Sequence, residues 1–450
     1  MILQLLTIAR NAFIESVRQP VLLLLVLLSG ILQVFNTWNT GFAMADAETG
    51  KITGDNKLLF DIGLGTVFVI GVLLAGFIAT AVMSREIENK TVLTVVSKPV
   101  PRYTLVLGKY LGVAGAILGA IVVMLVFLML GIRHGVMSTT ADELDGPVLC
   151  IGVLSVFLAL ALGGWCNFFY GWNFAQTAMS LLIPFSIASY VLVLLFDKNW
   201  KVQPLSTDFN AEVMLASAAL TMAILVLTAV ATAASTRLGQ VMTIVVCCGV
   251  FLMALLSNHL IGRKVFQNNP LGKVEEIRYT ESDLAMNEPG QVMTLKLLSP
   301  LNTLPAPKTT LYYSPSPSGF PMLNRDAAPF TGDLTKANDT KGRDVPPSLV
   351  VVECDRQSLK AMTVGGKPLP VIRPISEGDY VFLERTQINR PAMVAWTVIP
   401  NMQLFWLLDA VTQNRAIPVQ YVLMAGVYAL AEIGVFLSLA VILFQRRDVG

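Results

Sequence analysis

Ser84-Arg-Glu-Ile-Glu-Asn-Lys-Thr-Val-Leu-Thr-Val-Val-Ser-Lys-Pro-Val-Pro-Arg-Tyr-Thr-Leu-Val-Leu-Gly-Lys109 is a polar island between two long apolar runs, Ile62 to Met83 and Leu105 to Leu130. Crossing a bilayer takes about 20 apolar residues. Each run is long enough, so the island is a tight excursion of chain on one membrane face. Arg85, Lys90, Lys98, Arg102 and Lys109 outnumber Glu86 and Glu88, and such a basic excess places a loop in the cytoplasm. Ile87, Thr91, Val92, Val95 and Val96 recur at helical spacing. Pro99 and Pro101 end that helix, because proline lacks the backbone donor and turns the residue before it away from helix. A short amphipathic helix on this face reads either as a docking peg for a soluble partner or as an elbow lying in the headgroups.

The composition supports a membrane setting. Hydrophobic residues make up 54% of the 450 and charged ones 14%, against about 25% charged in soluble domains. A soluble globular protein is excluded. The net charge of +2 is spread among loops and offers no nucleic-acid surface. Cys150, Cys166, Cys247 and Cys248 lie in apolar runs, leaving Cys354 alone in a polar region, so there is no disulfide framework.

Taken in order, Met1 to Pro20 carries apolar residues on one helical face and reads as an interfacial helix before a first span, Val21 to Phe35. Ala43-Met44-Ala45 imitates a signal cleavage site, but the long amphipathic lead-in favours an uncleaved chain. Asn36 to Asp61 reads as an outer loop, and Arg133 to Gly146 as another. Pro147 to Phe196 is twice the length of a span. It reads as a hairpin turning near Tyr170, with a re-entrant pair as the alternative. Ala211 to Ala234, Val241 to Leu260 and Tyr421 to Phe444 complete the spans. The expected fold is an all-α polytopic membrane protein of about eight transmembrane helices, with an inserted, mainly β extracytoplasmic domain and both termini cytoplasmic.

The inserted domain begins at Arg263, giving a division into 1–262, 263–418 and 419–450. Pro300 to Pro321 reads as irregular chain. Ser348 to Glu353, Lys360 to Val364 and Tyr380 to Glu384 read as strands, with Gly365-Gly366 as a hairpin turn between two of them. At the end of the domain, Leu404, Leu407, Leu408 and Val411 share one arc. That predicts a membrane-surface helix over Asn401 to Arg415, with a core helix of the β domain as the rival reading.

No phosphate-binding Gly-x-x-x-x-Gly-Lys-Ser/Thr is present, so the chain is not expected to hydrolyse ATP alone, and no catalytic, metal or cofactor-binding residues are assigned to it. His134 and His259, the two histidines, sit at the ends of different spans and read as interfacial. Glu432, near the middle of the last span, reads either as a contact in a translocation path or as a packing hydrogen bond. Gly108, Gly112, Gly115 and Gly119 line a groove for close helix contact, most simply internal packing.

Several stretches resemble type-2 ATP-binding-cassette (ABC) transporter permeases. They are the opening Thr7 to Arg18 and the island, with its Arg85-Glu86-x-Glu88-x-x-Thr91, Ser97-Lys98-Pro99-Val100-x-Arg102 and Gly108-Lys109. The others are the Ser235-Thr236-Arg237 turn and the Phe444-x-Arg446-Arg447-Asp448 ending. Lys90 departs from the Gly that many members carry before the Thr. The resemblance implies that Arg85, Glu86, Glu88, Lys90, Thr91, Ser97, Pro99, Arg102 and Lys109 form a coupling loop seated on a separate ATPase subunit. ATP with Mg would be held there and not in this chain. It also implies a second permease copy or a related permease, a prokaryotic plasma membrane, and export as the direction of transport. The reading from another class is a membrane-anchored binding or assembly protein whose outer domain does the work. The scarcity of intramembrane charge argues against a secondary transporter.

Overall fold

The computed structural model describes residues 2–39, 53–88, 101–136, 144–280, 285–301, 304–324, 346–412 and 416–445. The helices are α1 (Ile2–Val17), α2 (Pro20–Asn39), α3 (Thr53–Glu88), α4 (Arg102–His134), α5 (Val153–Tyr170), α6 (Phe174–Leu194), α7 (Ala211–Ser235) and α8 (Gln240–Ser257). Strands β1 (Phe266–Gln267), β2 (Gly272–Tyr279), β3 (Val292–Leu297), β4 (Tyr312–Ser314), β5 (Ser348–Cys354), β6 (Ser358–Val364), β7 (Tyr380–Phe382) and β8 (Gln387–Ile388) follow. Helices α9 (Arg390–Val398), α10 (Leu408–Thr412) and α11 (Val419–Gln445) complete the chain. Among the described residues, eight helices are long and apolar enough to cross a membrane. The protein is a multi-pass membrane protein with a separate β-rich region.

The chain packs as two units, Met1–Leu255 with Pro400–Gly450, and Leu256–Ile399. In the first, α3, α4 and α7 are the most enclosed helices. α7 suits an inner position because its many Ala, Ser and Thr residues let neighbours come close. Its hydroxyls turn back onto their own helix: Thr228 to Ile224 O and Thr232 to Thr228 O, each at 2.8 Å. Polar side chains also bind helix to helix, as lipid offers no other partner. Gln33 and Asn36 of α2 donate to the Gly63 and Leu59 carbonyls of α3, both at 2.9 Å.

The glycine groove of α4 receives α1. A Cβ built on Gly108 would lie 2.8 Å from Ile8, and one on Gly112 only 2.3 Å from the Ala9 carbonyl oxygen. Farther along, Gly119 faces Ile183 of α6. The groove therefore serves internal packing. Ile2, Leu3 and Leu6 remain exposed on the other side of α1.

Several boundaries differ from the sequence reading. α2 runs to Asn39 and α3 starts at Thr53, so both ends of the polar stretch assigned to an outer loop, 36–39 and 53–61, are helix that prolongs two spans. α3 continues through Glu88, carrying the first residues of the island as span helix. The side chains of Arg85, Glu86 and Glu88, and residues 89–100 with Lys90, Thr91, Ser97 and Pro99, lie outside the described residues. Residues 148–194 form two full-length helices around a turn at Gly171, which favours the hairpin over the re-entrant pair. The surface helix expected over Asn401 to Arg415 is instead a 3-10 turn (Met402–Phe405) followed by the separate α10. Met402, Phe405, Leu408 and Val411 are buried. Burial among helices competes with a lipid surface for the same apolar residues, and here it wins.

In the second unit the sheet order is β4-β7-β2-β3-β6-β5, all neighbours antiparallel. The sheet closes on itself. Just before β4, Leu311 N–H donates to Leu349 O (2.7 Å) and Val351 N–H donates to Thr309 O (2.9 Å), so residues 308–314 bridge β5 to β7. The stretch read as irregular thus supplies the closing strand. The interior is filled by Met293, Leu295, Leu311, Tyr313, Leu349, Leu359 and Phe382 among others. Arg373 grips the buried Asp379 with two hydrogen bonds of 2.8 and 2.6 Å, and those bonds raise the guanidinium's pKa. Gly365-Gly366 does not turn a hairpin, because β6 pairs with β5 and β3, and β7 with β2 and β4. Gly365 has φ +138°, and a Cβ there would come within 2.6 Å of Pro347 Cα. It is a close-approach glycine.

Arg133 ties three segments of the first unit. It pairs with Asp145 at 2.7 Å and Asp208 at 2.9 Å, and donates to Phe196 O at 3.0 Å. Asp145 is fully buried.

Two expectations follow. Gly112→Val should lower stability by about 1–3 kcal/mol, since α1 must move away from α4. Gly164→Ala, whose Cβ meets nothing within 4 Å, should be neutral in the same detergent melt. Arg133→Ala should cost about 3–5 kcal/mol by leaving Asp145 buried without its cation, more than Arg133→Ala costs when Asp145→Leu is also present.

Candidate functional site

The site is the end of the bundle where the island enters α4. Pro101 has extended backbone and α4 starts immediately after it. Around this start, Met83 of α3, Leu105 and Val106 of α4, Ala233 of α7, and Ala440 and Phe444 of α11 form one buried cluster, with Ile8 of α1 packed against it. The four stretches singled out in the sequence thus meet in one place.

Their polar residues meet as well. The last carbonyls of a helix have no donors within it. At the end of α11 two arginines from distant parts of the chain supply them. Arg102 Nη1 donates to Gln445 O at 2.8 Å, and Arg237 Nε donates to Leu443 O at 2.9 Å. Both cations also stand at the negative end of the helix dipole. The Ser-Thr-Arg turn explains itself in these terms. Ser235 and Thr236 return their hydroxyls to Thr232 O (2.9 Å) and Ala233 O (2.7 Å), ending α7, and Arg237 reaches across to α11. Lys109 is buried and donates to Val82 O of α3 at 3.1 Å. Arg18, just after α1, donates to Gln176 of α6 at 2.8 Å.

Of the residues assigned to the coupling loop, the structure therefore places Arg102 and Lys109 at this end. Arg237 was noticed in the sequence as part of a resembling turn, without a role. Its partner is a backbone carbonyl, which leaves no trace in side-chain pattern.

Glu432 lies elsewhere, buried on α11. Tyr428 stands one turn before it on the same helix, and the Tyr428 hydroxyl accepts from Asn401 N–H at 2.9 Å. Tyr421 donates to Leu404 O (2.9 Å) and Gln403 donates to Leu255 O (3.0 Å), so residues 401–405 are sewn to α11 and α8. On their other side Trp406 lies 5.8 Å from Phe68, which meets Phe251 edge-on at 5.3 Å. Gly65, Phe68, Val69, Phe251, Leu255, Gln403 and Trp406 line an apolar cleft of about 510 Å³. Among the described residues no group of His, Cys, Asp and Glu could hold a metal ion.

Residues 6–166 match the family model described as ABC-2 family transporter protein. Over those residues the chain is similar to ABC-2 transporter permeases. The match takes in α1, the island and the first three spans, together with half of the following hairpin. Together with the eight described helices long and apolar enough to cross a membrane, the match supports a membrane permease of an ABC transporter. Searches of curated proteins and of solved structures find no match.

The two arginines give a direct expectation. In Arg102→Ala with Arg237→Ala, amide exchange over the last turns of α11 should speed up by about tenfold, the equivalent of about 1.4 kcal/mol at a frayed helix end. Unchanged exchange would show that the two guanidiniums do not hold α11.

Proposed function

We propose that the permease is driven by a separate ATPase seated on the island, with Arg85, Glu86, Glu88, Lys90, Thr91, Ser97, Pro99, Arg102 and Lys109 forming or bracing the contact. The observation that carries this is the bond from Arg102, where the island enters α4, to the end of α11. A push on the island acts on the first turn of α4, and through Arg102 on the last helix. Because α1, α3, α7 and α11 share the same apolar cluster, the movement is passed to the bundle as a body rather than to one helix.

The other connections at this end suit a soluble partner less well. The α7–α8 turn is tight, and Arg237 in it is engaged with α11. The α5–α6 turn carries no charge, and around it Trp165, Phe168, Phe169, Tyr170 and Trp172 form an exposed aromatic cluster. Such rings are enriched at the membrane–water boundary. They suit lipid headgroups.

By the charge of its loops, the island end and both termini are cytoplasmic and residues 263–418 are outside; family resemblance supports the plasma membrane of a prokaryote. Two copies, or this chain with a related permease, pair with two ATPase subunits. The chain itself is not an enzyme, and ATP with Mg is bound by the partner. Family resemblance supports export as the direction. A membrane-anchored binding protein is less well supported, since the interior of the β unit is filled by side chains.

Reversing two charges tests the coupling. A charge left unpaired at a buried contact costs about 2–5 kcal/mol, so Glu86→Lys with Glu88→Lys should insert normally yet lose the ATPase. The variant is to be copurified with the candidate ATPase and transport-linked hydrolysis measured. Equal recovery and equal stimulated hydrolysis would remove both carboxylates from the contact.

A further inference from the structure

The second unit contains an apolar helix on its surface. From Pro391 to Val398, α9 has no charged residue. Met393, Val394 and Val398 are 43%, 65% and 58% exposed. Three exposed aliphatic side chains on nine residues are costly in water, so the surroundings of α9 decide what they face.

Those surroundings are the end of a membrane-crossing helix. The span Gln240–Val265 finishes within this unit in a π turn, Asn258–Gly262. Trp396 Nε1–H donates to Asn258 Oδ1 at 3.1 Å, and a Cβ on Gly262 would lie 3.4 Å from the same indole nitrogen. α9 is thus fastened beside the point where a span ends. Phe266, directly after the span, stacks on Phe320 at 3.8 Å and meets Trp396 edge-on. Leu256 and Leu260 on the span are exposed too, so the apolar surface runs from the span onto α9.

Charge adds an independent sign. Arg263, Lys264 and Arg390 are exposed here. No acidic residue occurs from Leu256 to Lys273 or from Arg385 to Ile399. A basic, acid-free collar around an apolar helix complements anionic headgroups.

We propose that α9 rests in the lipid headgroup layer, with Met393, Val394 and Val398 directed to the acyl boundary and Arg263, Lys264 and Arg390 toward phosphates. Nine residues are few for a free surface helix. Here the span already holds α9 at the bilayer, which removes most of the cost of bringing it there. The unit is therefore anchored at two places, by its covalent span and by α9.

The test uses the full chain in nanodiscs of phosphatidylglycerol and phosphatidylethanolamine, with its five cysteines replaced. A nitroxide is placed by Val394→Cys or Val398→Cys, and by Glu353→Cys, an exposed position on β5, as an aqueous reference. Collision with dissolved oxygen should exceed collision with a soluble nickel chelate at 394 and 398, and the ratio should invert at 353. Nickel access at 394 and 398 equal to that at 353 would place α9 in water and overturn the proposal. Low access to both reagents would show a protein surface, a second copy or another partner, and overturn it equally. In the chain with its cysteines intact, lipids brominated near the headgroup should quench a component of emission that Trp396→Phe lacks. Equal quenching of the two proteins would count against the proposal.

Discussion

The end of α11 depends on donors it cannot supply itself. Arg102 and Arg237 bring them from the start of α4 and the turn after α7. Without this arrangement that end of the last span would be held to its neighbours chiefly by apolar contact. Apolar contact is a weak source of register in a bilayer, where lipid tails are as acceptable to a leucine as another helix is. The two guanidiniums fix which carbonyls meet which elements, and the Met83–Phe444 cluster fills the space beneath them. The same logic operates on Arg133, whose buried pairing with Asp145 and Asp208 gathers connections between other helices.

Close approach does the remaining positioning. α1 can lie on α4 because Gly108 and Gly112 have no side chain where Ile8 and the Ala9 carbonyl must pass. Bringing α1 onto α4 also places Ile8 in the cluster near Arg102. The opening of the chain and the island are therefore parts of one structure, although nearly a hundred residues separate them.

What was legible in the sequence follows from how strongly each feature is written into composition. The eight spans were, because length and hydropathy are sufficient for a helix that has lipid as solvent. Strands β5, β6 and β7 were, since each is a compact run of β-branched or aromatic residues. Strand β2 was hidden by its charged outer positions Glu275, Glu276 and Arg278, and the closing strand by the prolines around it. The arc of Leu404, Leu407, Leu408 and Val411 suggested one surface helix, but the same spacing is met by a 3-10 turn and a short helix buried among spans. Within the candidate site, Arg102 and Lys109 were marked by charge and resemblance. Their partners are backbone carbonyls, which every residue possesses and no pattern distinguishes.

The closure of the β unit has a further meaning. A sheet with open margins can recruit an extended peptide or another sheet by continuing its hydrogen-bond ladder. Residues 308–314 occupy both margins at once, pairing with β5 on one side and β7 on the other. Along 349–351 of β5 and along β7 the hydrogen-bond ladder is therefore already taken. The loops and side-chain surface of this unit can vary in sequence while the sheet beneath them keeps its hydrogen bonds.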